Sequence, residues 1–81
     1  MRYIKKPIPI EAFRYAVEYP YPEWFNEAVY NGEVDFANGI IHTIDGDFNF
    51  NPGDYIVQGT HKEIYPCKAD IFQESYERYI E

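Results

Sequence analysis

A single cysteine, Cys67, stands in this 81-residue chain, so no internal disulfide can form and a reducing compartment, the cytoplasm, is expected. No apolar run reaches about 18 residues, the length that a membrane-spanning helix needs. The first residues, MRYIKKPIPIEAF, are basic, but Pro7, Pro9 and Glu11 interrupt any apolar stretch, so no secretory leader is expected. Cations are scarce. Seven Lys and Arg face 14 Asp and Glu, a formal charge of −7. Such a surface repels long nucleic acids, which are held by neutralising phosphates. A small anion is a different matter, because one local cluster of cations can hold it. The two histidines, His42 and His61, lie far apart and, with one cysteine, form no metal-ligand spacing. Cys67 reads as a small core residue rather than as a nucleophile. Asp45, Asp47 and Asp54 fail the calcium-loop pattern and read as turn formers. Gly39, Gly46, Gly53 and Gly59 are scattered singly, so no glycine loop cradles a phosphate. No cofactor, no metal and no catalytic constellation are expected.

What is present is a core-forming composition. Hydrophobic residues make up 46% and aromatic residues 20%, from 9 Tyr, 6 Phe and one Trp. The length suits one domain over residues 1–81, which buries roughly 60% of its unfolded surface. One small core cannot enclose every ring. Some rings must line a surface or a subunit contact, which predicts a homo-oligomer joined through aromatic surface.

Periodicity predicts an α+β fold: a small, mostly antiparallel sheet with two short helices, in the order β-α-β-β-β-β-α-β. Residues Arg2 to Tyr15 alternate, and Pro7 and Pro9 confine that segment to an edge. Pro22 suits a first helical turn. Trp24, Phe25, Ala28 and Val29 follow at helical spacing, and Asn31-Gly32 stops the helix. Asn38-Gly39 and Asp45-Gly46 predict two-residue hairpin turns. Asn51-Pro52-Gly53-Asp54 matches a type II turn. Tyr55-Ile56-Val57 is central-strand material, and Glu63-Ile64-Tyr65 extends the chain again. Asp70 with Gln73 three residues on predicts a capping box, with Ile71, Phe72, Ser75 and Tyr76 on the inner face of the second helix. Tyr76 to Glu81 read as a last strand beside the first.

Lys68 precedes the second helix, whose N-terminus is already positive. It is either a solvated loop residue or one half of an anion site, with Tyr65 stacking on a base. Lys5 and Lys6 point to opposite faces of a strand, so only one can join a given site. They serve either there or as guards against edge aggregation. His61, in the turn beside Lys62, is an exposed turn residue or a further contact. Trp24 packs in the core or, if exposed, stacks on a ligand. The candidate ligand-binding set is therefore Tyr65, Lys68, Lys5, Lys6, His61 and Trp24.

The segment Lys5-Lys6-Pro7-Ile8-Pro9-Ile10-Glu11-Ala12-Phe13 resembles the start of a family of small bacteriophage and prophage proteins. Pro52-Gly53-Asp54-Tyr55-Ile56-Val57-Gln58-Gly59 is similar to a signature of that family. So is Glu63-Ile64-Tyr65-Pro66-Cys67-Lys68-Ala69-Asp70-Ile71-Phe72, followed by Tyr76-Glu77. Ala69 departs from the pattern, where proline is usual, and the residues from Arg14 to Asp45 carry no resemblance. The resemblance implies a non-enzymatic, phage-encoded accessory protein acting in the host cytoplasm. By analogy with anti-CBASS and anti-Thoeris sponges, it would sequester a small cyclic nucleotide immune signal. The alternative is a phage inhibitor that acts by protein–protein contact through its acidic surface.

Overall fold

The computed structural model describes residues 1–4 and 6–78. Its elements are β1 (Glu11–Arg14), α1 (Glu23–Tyr30), β2 (Val34–Asp35), β3 (Ile40–Thr43), β4 (Gly46–Asn49), β5 (Tyr55–Gln58), β6 (Ile64–Cys67) and α2 (Ala69–Ser75). The strands form two three-stranded antiparallel sheets, in the orders β1-β5-β6 and β2-β3-β4. This is the α+β class that the periodicity predicts, with the strands shared between two sheets. No described helix is long and apolar enough to cross a membrane.

Alternation decides what each strand buries. Phe13 lies opposite Ile56 on one face of the first sheet. Both are buried, as are Ile64 on β6, Phe25 and Ala28 on α1, Val34, Ile41 and Phe50, and these eight form one cluster. Both sheets and α1 thus share a core. Rings dominate it. Phe25 meets Phe13 edge-on at 5.0 Å and Tyr21 at 5.5 Å, and Tyr15 meets Phe50 at 4.9 Å. Burial, and next the Tyr19 hydroxyl, push the Tyr21 phenol up to about 12.

Several local expectations are corrected. Of the segment from Arg2 to Tyr15, only Glu11–Arg14 pairs as strand, because Pro7 and Pro9 offer no donor to a ladder. Asn38-Gly39 is not a two-residue turn. Asp35 pairs with Ile40, so Phe36 to Gly39 make a four-residue loop. The Asp35 carboxylate accepts from the Asn38 backbone N–H at 3.1 Å and side-chain amide at 2.8 Å. These bonds hold the Asp35 carboxyl below its ordinary value. In the next hairpin Gly46 pairs with Thr43, so Ile44 and Asp45 form the turn. No capping box forms at α2. Lys68 is the N-cap, without a side-chain cap, and Asp70 accepts from the Ile71 N–H at 2.9 Å. Ile71 is half exposed and Ser75 exposed, so neither serves an inner face. Tyr76–Arg78 are not strand, and the rest of the expected last strand lies outside the described residues. The type II turn does form: the Asp54 N–H reaches the Asn51 carbonyl at 3.0 Å, with Gly53 at φ +93°.

Candidate functional site

The second face of the first sheet is set by the same alternation. Ala12, Val57 and Tyr65 lie in register there, as do Arg14, Tyr55 and Cys67. α2 covers this face through rings. Phe72 stacks on Tyr55 at 4.0 Å and 9° between planes, and on Tyr76 at 4.8 Å. Burial pushes the Tyr65 phenol up, and the neighbouring Tyr76 hydroxyl adds to the rise. The Cys67 thiol is raised by burial, then by Asp54 and Asp70, which keeps it neutral and a poor nucleophile.

None of the seven residues of α2 is buried, so its attachment rests on that stack. A helix so short has little stability of its own. Replacing Phe72 with alanine is therefore expected to release α2 while leaving the core intact. Hydrogen exchange reads this directly. The Phe72 and Tyr76 amides, bonded to the Lys68 and Phe72 carbonyls, should lose protection. The Ile56 and Val57 amides should keep theirs. Equal loss at both places would show that α2 is part of the global folding unit.

A groove of about 1540 Å³, open to solvent, runs along the free edge of β1. Residues 7–13 form one wall. Tyr19, Pro20, Pro22 and Trp24 close it on the core side, and Tyr55, Phe72 and Tyr76 on the other. Its charges are Glu11, Glu18 and Glu77 against Arg78. It is wider than the roughly 300–1,000 Å³ of a pocket that encloses a small ligand. Trp24 is half-buried and edge-on to Phe13 at 5.7 Å. Its indole N–H is buried with no partner among the described residues.

Of the sequence-predicted site residues that are described, Trp24 alone lines this groove. Tyr65 sits on the α2 face of the sheet, near Tyr76. Lys68 is exposed at the start of α2, and His61 is exposed in the turn between β5 and β6, where its backbone N–H reaches Glu63 at 3.1 Å. Lys6 is exposed ahead of β1. Lys5 lies outside the described residues. The described side chains of this set therefore do not converge on one anion. Among the described residues no polar or charged residue is buried, and no group of three His, Cys, Asp or Glu could hold a metal.

The outer face of α1 is a feature that the sequence reading missed. Glu23, Glu27 and Tyr30, with Asn26 and Asn31, line a shallow depression. Tyr30 is 94% exposed, Glu23 stands in the first turn, and the last turn has no basic residue. The i, i+4, i+7 spacing of Glu23, Glu27 and Tyr30 is legible in the sequence, but it is a weaker signal than the apolar stripe on the opposite face of the helix. No protein-family model matches the chain, and neither a curated protein nor a solved structure matches it.

Proposed function

We propose that the chain is a non-enzymatic binding protein that engages a basic protein partner through the acidic outer face of α1. One observation carries this reading: Tyr30 stands 94% exposed beside Glu23 and Glu27 on a helix without a cation. Exposed tyrosine is a common interface anchor, combining apolar area with a hydrogen-bonding tip. Carboxylates around it speed encounter with a cationic surface and reject acidic ones. The resemblance to phage proteins makes a bacterial host protein the partner class, and inhibition by occupancy the mode of action.

A second reading, the sponge for a cyclic nucleotide, draws on Lys68 at the uncapped start of α2. Against it, Tyr65 is half-buried on the α2 face of the sheet beside Tyr76 while Lys68 is exposed, and the large groove has one cation against three carboxylates.

The two readings predict different losses. Immobilised wild-type chain should retain basic proteins from bacterial lysate, and about 0.5 M salt should release them. Glu23→Lys with Glu27→Lys should reduce that retention at least about tenfold, or about 1.4 kcal/mol. Identical retention by both chains would overturn the reading. So would a rise in melting temperature on adding small-molecule extract that is lost in Lys68→Glu, since a ligand at about a hundred times its dissociation constant adds about 2.7 kcal/mol.

A further inference from the structure

The residues ahead of β1 form an arm unlike the rest of the molecule. Met1, Tyr3 and Ile4 are 107%, 89% and 93% exposed, and Ile8 is 57% exposed. Among the described residues, the one backbone hydrogen bond in the arm is local, from the Ile8 N–H to the Lys6 carbonyl. Met1, Tyr3 and Ile4 are thus almost fully uncovered in their own chain. Its charge is also opposite to that of the body. Residues 1–10 carry Arg2, Lys5 and Lys6 and no acid, +3. The remaining residues carry four cations and 14 acids, −10, which together give the −7 of the whole chain.

The groove along β1 has the complementary character. Its walls are apolar at Trp24, Tyr55 and Phe72, and its carboxylates are Glu11, Glu18 and Glu77. β1 is an edge strand: on the side away from β5 the Arg14 N–H and carbonyl are bonded within the turn to Glu18, and the stretch ahead of Arg14 has no strand partner there among the described residues. The arm cannot readily fill this groove in its own chain. Residues 7–10 already form one wall, and Pro7 and Pro9 stiffen the chain against the reversal that residues 1–6 would need. A second copy has no such constraint. Its residues 1–6 lack proline, so they can lie extended along the open edge of β1.

We propose that two copies exchange arms, each laying residues 1–6 in the β1 groove of the other around a two-fold axis. The contact is reciprocal, so both grooves fill and the assembly closes at two chains. Apolar side chains of the arm cover the aromatic walls, and Arg2 and Lys6 meet the groove carboxylates. This contact is independent of the α1 face, so the two proposals fail separately.

A charge-swap experiment tests it. At about 100 μM and low salt, the wild-type chain should sediment at twice the 9.7 kDa of one chain. Arg2→Glu with Lys6→Glu should give single chains, and so should Glu11→Lys with Glu77→Lys. An equal mixture of the two variants should regain the two-chain mass, because each arm then meets a groove of opposite charge. Tyr3→Ser with Ile4→Ser, which leaves charge unchanged, should also give single chains. Arg2, Tyr3, Ile4 and Lys6 are exposed in their own chain, so these arm variants should melt as the isolated wild-type chain does. Single chains for the wild type would overturn the proposal. So would a two-chain mass that survives reversal of the arm, or a mixture that stays at one chain.

Discussion

Replacing Phe25 with alanine should cost about 3–5 kcal/mol, the range for removing a buried phenylalanine. At about 0.05–0.15 kcal/mol per residue, an 81-residue chain has only about 4–12 kcal/mol to lose. The residue is 1% exposed and sits at the centre of the core's cluster of rings. Besides Phe13 and Tyr21, its ring reaches Phe36 at 6.3 Å and Phe50 at 6.4 Å. These neighbours come from β1, the segment before α1, the loop after β2 and the segment after β4. Alanine would leave a cavity lined by rigid rings, which collapse poorly into a gap. Urea unfolding should show a lower midpoint with an unchanged slope. Tyr30→Ala, at the exposed end of the same helix, should stay within about 0.5 kcal/mol of the parent. A Phe25→Ala cost below about 2 kcal/mol would mean that the rings repack, and that the core is less tightly specified than its geometry indicates.

The helical spacing that placed Phe25 and Ala28 inward was readable, because a 3.6-residue period leaves one buried stripe on α1. The Asn51–Asp54 turn was readable because proline and glycine each answer a specific backbone requirement. The division into two sheets was not. β1 pairs with β5, more than forty positions along the chain, and short alternating strands look alike whichever partner they take. Pro66 obscured the end of β6: a proline interrupts a strand pattern, yet it is tolerated here because β6 is an edge. The candidate site residues lie apart for a related reason. Tyr65 and Lys68 are three apart, and a strand-to-helix boundary falls between them. The strand puts Tyr65 on the α2 face of the sheet, near Tyr76, while Lys68 stands exposed at the N-cap position without capping the helix. Spacing alone cannot foresee such a break. For Trp24 the sequence left two places open, the core or a ligand-facing surface; the ring packs against the core cluster and also borders the groove.

Gly39→Ala should cost roughly 2–3 kcal/mol, far more than one methyl group on an exposed loop would suggest. Two effects add. Gly39 has φ +65°, a left-handed conformation that carries a penalty for any residue with a Cβ. A Cβ at this position would also stand 2.9 Å from the backbone oxygen of Phe50. Backbone cannot rotate away as a side-chain tip can. The Gly39 carbonyl accepts the Phe50 N–H at 2.8 Å, so the loop and Phe50 are tied together. Pushing that oxygen aside moves Phe50, which is 3% exposed and belongs to the core. Gly53→Ala separates the two effects. Gly53 has φ +93°, but a Cβ there would meet nothing within 4 Å. It should show backbone strain alone, roughly 1 kcal/mol. In a chain of this size each kcal/mol lowers the melting temperature by about 4–8 °C, so the two variants should be clearly resolved. Equal melting temperatures would show that the loop absorbs the methyl group without disturbing Phe50. The predicted gap requires the opposite: that a core ring near one end of the second sheet is positioned through a glycine at the turn between β2 and β3.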